Sequence, residues 1–375
     1  MKAMQVFESV SEDPTGYIQK TKNETAKPVL GYFCSYTPEE IIHAAGAVPF
    51  RLFGTKGDIR LADAHLQSYC CSLVRGGLED ALNGTLSFLD GTVFPHTCDS
   101  IQRLSDIWRI NAGFPIHLDV VMPVKLDSRS ARDYMVEVLS KFRTDMETAL
   151  GVQITDEALW RSIETFNRIR QQLRTIYEMH SRNPETLSPA GIYKVMRSAM
   201  VMDRDVLPEL LDELVDALGA AKVSEKTGLH KRVMLSGGIC NHPDIYGVLA
   251  DAGGDVVWDD LCTGTRYMQG DIETSAVSSP VEAIADRFMN RRVCPAKHMD
   301  NTGRGRELLD AVYRQQIDGV IFLLLKFCDP HAFDYPYLKQ FLDDAGIASL
   351  LLEIEEQPMP AGQLQTRLET FMDML

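Results

Sequence analysis

Residues 318 to 336 read DGVIFLLLKFCDPHAFDYP, and the architecture of the chain can be worked out from them. Gly319 to Leu325 is an unbroken apolar run, the pattern of a strand buried on both faces of a parallel sheet. Lys326, Phe327, Cys328 and Asp329 follow, and Pro330 is expected to stop regular structure. In doubly wound folds, ligands bind at the carboxyl ends of such strands. The phrase has an echo: Asp90-Gly91-Thr92-Val93-Phe94 matches Asp318-Gly319-Val320-Ile321-Phe322, and Cys98-Asp99 matches Cys328-Asp329. This reads as two related half-molecules, each delivering a cysteine to the end of a central strand. The alternative is chance similarity between two buried strands.

A chain of 375 residues has room for two or three domains and a large core. Its 45% hydrophobic and 24% charged residues are ordinary for a globular protein. A net charge of −15 argues against a nucleic-acid partner. No apolar run reaches membrane-spanning length and the N-terminus has no signal-peptide core, so a cytoplasmic, non-membrane protein is expected. There, eight cysteines read as thiols or metal ligands rather than disulfides. No CxxC pattern is present, so any metal would draw its ligands from distant segments.

Reading outward, residues 1–27 form a polar, helical, peripheral arm. Residues 28–129 alternate strand and helix, 130–228 form a helical connector, and 229–375 alternate again. The fold class is therefore α/β, two doubly wound parallel-sheet domains joined by helices. Gln67–Leu82 reads as a helix with Cys70 and Cys71 in its first turn, and Tyr337–Ala345 as a helix after the central strand. Trp160, Ile163, Phe166, Ile169 and Leu173 keep helical spacing, and Ser188-Pro189 suits a helix start.

Cys34, Cys98, Cys262 and Cys328 fall just after expected strands, Cys71 opens a helix, and Cys294 lies in a loop. Thiolates from several directions are what an iron–sulfur cluster requires. A single cysteine is more often a small buried hydrophobe, and Cys70 and Cys240 are left under that reading. Ser236-Gly237-Gly238 could cradle a phosphate, although a plain strand-to-helix turn is the simpler account. Asn301 to Arg306 could present arginines to phosphates or be a solvated helix start. Neither is a P-loop. His43 reads as structural. Ser35 and Glu40 follow the first strand on the sheet edge of Cys98, and are candidates to border a substrate cavity. For Glu40, a cap or ion pair on its helix is an equal alternative.

Together the motifs resemble the 2-hydroxyacyl-CoA dehydratase and benzoyl-CoA reductase family of iron–sulfur enzymes. The matching stretches are Tyr36–Gly46, Gln67–Cys71, Phe94–Asp99, Lys326–Pro330 with Asp334–Pro336, and Gly362 to Arg367. The resemblance implies two flavodoxin-like domains and a [4Fe–4S] cluster held by Cys71, Cys98 and Cys328, with one iron position open. It implies an anaerobic enzyme whose smaller subunit pairs with a homologous second subunit. An ATP-hydrolysing iron–sulfur activator would inject one electron and form a ketyl radical on an acyl-CoA substrate. Cys34, Cys262 and Cys294 exceed this minimal pattern and resemble the stand-alone branch, whose homodimers hold a double-cubane [8Fe–9S] cluster through six thiolates and reduce small molecules. The surroundings of Cys328 look more like the CoA-ester enzymes, and the balance leans that way. An electron-transfer subunit with no substrate of its own is the third reading.

Overall fold

The computed structural model describes residues 1–55, 57–221, 230–239, 244–275, 279–300, 302–355 and 361–375. It begins with α1 (Lys2–Glu12) and α2 (Pro14–Thr25). Ala3, Met4, Phe7 and Val10 lie along one face of α1 and are buried, as is Ile18 on α2. The arm is helical as expected, and one face of it is packed rather than solvated. The polar average of the segment conceals a three-and-four apolar stripe, and burying one Phe side chain is worth about 1.5–3 kcal/mol. Ser198 Oγ donates to the Phe7 carbonyl at 2.7 Å, fixing the arm to the later helices.

The first sheet holds β1 (Val29–Tyr32), β2 (Val48–Arg51), β3 (Gly91–Pro95) and β4 (Ile116–Val120), with α3 (Glu39–Ala44), α4 (Ser72–Leu82) and α5 (Asp99–Asn111) between them. All pairings are parallel, in the order β2-β1-β3-β4. A run of helices follows: α6 (Arg129–Leu150), α7 (Asp156–Arg182), α8 (Pro189–Ala199) and α9 (Leu207–Gly219). Ser128, Thr155 and Ser188 start the first three, each side-chain oxygen accepting a first-turn N–H. The second sheet holds β5 (Lys231–Gly237), β6 (Gly254–Asp260), β7 (Gly319–Leu325) and β8 (Ala348–Ile354). Its helices are α10 (Asp244–Asp251), α11 (Pro280–Asn290), α12 (Gly303–Arg314), α13 (Asp329–Asp344) and α14 (Ala361–Met374). The order is β6-β5-β7-β8, again wholly parallel.

The two sheets thus repeat one topology, and the echoed Asp-Gly phrases occupy equivalent places in it. Asp90 Oδ2 accepts the Val29 N–H at 2.8 Å and Asp318 Oδ2 accepts the Arg232 N–H at 2.7 Å. Each aspartate's own N–H returns to the carbonyl of that same residue, at 2.9 and 2.8 Å. The glycine that follows lets a neighbour close in. A Cβ on Gly91 would stand 2.4 Å from Ile116 Cβ, and one on Gly319 2.8 Å from Leu375 Cδ2 and from Phe371 Cζ.

Two helix boundaries differ from expectation. Pro330 does not stop structure. It opens α13 at the first-turn position, where a missing N–H costs nothing and the fixed φ suits the helix. At the other site, the chain makes a turn with Cys70 N–H on Gln67 O, and α4 begins only at Ser72, leaving Cys71 as its N-cap.

Candidate thiol-rich functional site

Cys71, Cys98 and Cys328 are the N-cap residues of α4, α5 and α13. At Cys71 and Cys98 the backbone is extended, as a residue leading into a helix requires. Helix starts carry unpaired N–H groups and a positive dipole end. The Leu73 and Val74 N–H groups favour negative charge on Cys71, those of Ser100 and Ile101 on Cys98, and that of His331 on Cys328. Burial opposes them and prevails: it pushes Cys71 up, Cys98 up to about 12, and Cys328 well above its ordinary value. The three thiols also raise one another, Cys98 feeling Cys71, and Cys328 feeling both. Three residues remote in sequence therefore share one electrostatic neighbourhood.

Cys34, Cys262 and Cys294 adjoin the same neighbourhood. Cys34 acts on Cys98 and Cys294, and Cys262 on Cys328. Cys262 and Cys294 influence each other electrostatically, and Cys262 also feels Arg266 and His331. Cys294, Arg266 and His331 together outweigh burial and draw Cys262 well below the usual thiol range. Arg266 is held from behind by Asp260 at 3.4 Å, which also pairs with Arg292 at 3.2 Å and Arg304 at 3.4 Å. Burial pushes the Asp260 carboxyl up, but these three guanidinium groups bring it below the carboxylate range.

Two further buried cations have no carboxylate bonded to them among the described residues. Lys297 Nζ donates to Met122 O at 3.2 Å and interacts with Cys34, Cys294 and Cys98; burial lowers its pKa. Arg291 donates to Ser35 O and Arg266 O, each at 2.7 Å. A buried cation without a counter-charge is costly, so the region suits a bound anionic group. Among the described residues, no three His, Cys, Asp or Glu side chains are arranged for a single metal ion. Thiols set apart on separate helix starts, flanked by cations, match the donor chemistry of a polynuclear iron–sulfur cluster.

Ser35 and Glu40 do come together, lining a cavity of about 10 Å³ with Thr37, Phe166, Arg170 and Arg287. That is space for about one water. Ser35 Oγ accepts from Arg291 Nη2 at 3.2 Å. Glu40 forms a buried ion pair with Arg170, and burial is outweighed by Arg170 and Arg287, so its carboxyl sits below its usual value. The neighbouring Glu39 accepts from Arg204 at 2.7 Å and Tyr267 at 3.2 Å.

The remaining candidates are absorbed by structure. Cys70 is buried in the core, while Cys240 lies outside the described residues. His43 bridges Ser162 at 2.9 Å and Asp205 at 3.0 Å. Gly237 allows close strand packing, since a Cβ there would stand 2.1 Å from Leu323 O. Arg304 is neither a phosphate ligand nor solvated: it is buried against Asp334 at 2.8 Å and Asp260. Asn301 lies outside the described residues. Arg266, Arg291, Lys297 and His331 do not stand out in the sequence. The one signal available for them is a basic residue three or four positions from a cysteine, in each of Cys262–Arg266, Arg291–Cys294, Cys294–Lys297 and Cys328–His331.

Comparison with known proteins agrees. The chain is 28% identical to the (R)-phenyllactyl-CoA dehydratase beta subunit of Clostridium sporogenes, over 98% of this chain and 97% of that one. It is 26% identical to the lactoyl-CoA dehydratase beta subunit of Anaerotignum propionicum, over 98% and 97%. It is 27% identical to the beta subunit of the (R)-2-hydroxyglutaryl-CoA dehydratase of Acidaminococcus fermentans, over 98% and 98%. A subunit of the benzoyl-CoA reductase of Thauera aromatica is 27% identical, over 97% and 95%. Residues 34–375 match the family model for the 2-hydroxyglutaryl-CoA dehydratase D-component. From the thiol-bearing strand ends to the last helix, this chain belongs to the 2-hydroxyglutaryl-CoA dehydratase D-component family.

Proposed function

We propose that this chain is the iron–sulfur subunit of a 2-hydroxyacyl-CoA dehydratase or benzoyl-CoA reductase-type enzyme. It would work with a homologous second subunit, as the subunit names of its relatives suggest, and with an ATP-hydrolysing activator. The reaction is one-electron reduction of a CoA thioester to a ketyl radical, which then expels a hydroxyl or accepts further reduction on a ring. The observation supporting this most directly is the shared neighbourhood of the Cys71, Cys98 and Cys328 thiols at three helix starts.

A [4Fe–4S] cluster on these three thiolates would supply low-potential electron transfer and an open iron position. The chain's own residues do the rest. First-turn N–H groups of α4, α5 and α13 and the cations Arg266 and Lys297 offset the negative charge gathered there. Ser35 accepts from Arg291, which leaves its hydroxyl proton free to donate into the cavity. Glu40, ionised and fixed by Arg170, contributes charge at the cavity wall. An acyl group requires this cavity to widen.

Anaerobic purification with iron and sulfide counting tests the reading. About four irons per chain, lost on Cys71→Ala, Cys98→Ala or Cys328→Ala and retained on Cys34→Ala, is the expected result. An unmutated chain without iron overturns it. The electrostatic link of Cys34, Cys262 and Cys294 to the other three thiols favours a second reading, the homodimeric double-cubane reductase. Eight irons per chain, with iron lost in all six variants, selects that reading. If Glu40→Gln turns over normally in the reconstituted, activated enzyme, Glu40 has no catalytic part.

A further inference from the structure

We propose that a second cavity, at the end of β2, binds a small oxyanion that also carries a hydroxyl group, such as hydrogen phosphate or a short hydroxycarboxylate. This cavity of about 80 Å³ is lined by Arg51, Arg197 and Asp80, and it shares no residue with the cavity of Ser35 and Glu40. It has room for roughly five to eight waters, the size of such a ligand. Arg51 is the last residue of β2 and is 1% exposed. Other buried arginines have carboxylates: Arg170 has Glu40, Arg204 has Glu39, and Arg304 has Asp260 and Asp334. Arg51 has none among the described residues, and its Nε and Nη1 have no hydrogen-bond partner. The Tyr32 ring 5.4 Å away is the weak company it keeps. Arg197, from α8, is half-buried and lies over the Phe53 ring at 4.3 Å, which holds its guanidinium in place, and its Nε is also without a partner. Burying positive charge without a counter-charge is costly. An anion in the adjoining cavity supplies the partner that the fold does not.

Asp80 decides which oxyanion fits. It comes from α4 and lines the same cavity, and neither arginine is among the groups that act on it. At neutral pH its carboxylate is ionised and can only accept hydrogen bonds. A ligand with acceptor oxygens alone satisfies the arginines but sets a bare oxygen against this carboxylate. A ligand that also has an O–H donates to it. Phosphate at neutral pH and glycolate each carry both functions, whereas sulfate and acetate lack the donor. A buried acceptor left unpaired penalises the ligand that lacks the matching hydroxyl.

Titration calorimetry of the anaerobically purified holoprotein at neutral pH, with phosphate, glycolate, sulfate and acetate, tests the site. Phosphate should bind about tenfold or more tighter than sulfate, or glycolate than acetate, and whichever pair shows the difference assigns the ligand as a phosphate or a hydroxycarboxylate. Arg51→Gln and Arg197→Gln should each weaken that binding about tenfold or more. Asp80→Asn turns the acceptor into a donor and should bring the two members of the pair together. Arg197 is half-buried, so its variant decides the matter where Arg51→Gln does not fold. Absence of binding by all four anions at millimolar concentration overturns the proposal, and so does binding that neither arginine variant weakens. Sulfate as tight as phosphate together with acetate as tight as glycolate also overturns it. The iron count should be the same in all three variants, so failure here leaves the cluster reading standing. An iron-free chain that binds phosphate with this selectivity would overturn the cluster reading alone.

Discussion

In the N-terminal half, β3 ends at Pro95 and the chain passes through His96 and Thr97 to the N-cap Cys98; in the C-terminal half, β7 ends at Leu325 and passes through Lys326 and Phe327 to the N-cap Cys328. Strand order, the Asp-Gly entry and the cysteine at the helix start are shared. The approach is not. Thr97 is buried, whereas Phe327 is 43% exposed and sits at φ 66, in the left-handed region. A bulky residue there stores about 1 kcal/mol or more of strain. Charge is divided between the halves as well. Cys34 and Cys98 come from the first, while Lys297, the cation that acts on both, comes from the second. The two halves share the scaffold, and each contributes its own residues to the site.

If Cys98 and Cys328 are true counterparts, Cys98→Ala and Cys328→Ala should be equally damaging, each reducing bound iron by more than about tenfold. Anaerobic iron analysis would break the comparison if one variant kept its iron. The glycines should be unequal. Gly91→Ala meets the Ile116 backbone oxygen at 2.7 Å as well as its Cβ, while Gly319→Ala meets only the ends of Leu375 and Phe371. Denaturant unfolding should show a loss near about 3 kcal/mol for Gly91→Ala and about 1 kcal/mol for Gly319→Ala.

A pH effect should mark Asp80 in the first half. Burial, with Glu79 nearby, raises Asp80 to about 6, against an ordinary value of 3.8, despite a Thr55 hydrogen bond. The folded state therefore holds this proton more tightly than the unfolded chain. The resulting stability is full below about pH 4 and is lost as pH rises to about 6. Allowing for solvent screening, Asp80→Asn should be about 1–2 kcal/mol more stable than the parent at pH 7 and equal to it at pH 4. Equal stabilities at both pH values would remove Asp80 as the cause. The smallest effect concerns the shared aspartates. Asp318→Asn and Asp90→Asn each weaken one charge-assisted bond to a strand N–H. Asp90 also loses its 2.9 Å pairing with Lys22. Losses of about 1 kcal/mol are expected, slightly more for Asp90.

What the sequence determined by itself was whatever depends on nearest neighbours. The Gly319–Leu325 run is a buried strand at those same residues, because seven apolar side chains can be buried only between two layers. The Ser188-Pro189 start and the repeated Asp-Gly entries also use atoms a few positions away or across one strand pair. Pro330 reads as a stop in the sequence and is a start in the fold, because the same ring ends one element and opens another, and only the backbone around it tells which. Tertiary structure decided the rest. Glu40 finds Arg170 at a separation of 130 residues, and so becomes an ion pair where the sequence left two roles open. Cys262 is drawn below its ordinary pKa by Cys294, Arg266 and His331 only once β6, α11 and α13 pack together. Charge and desolvation act through space, so a thiol's chemistry is set by whichever segments the fold brings within a few ångströms of it.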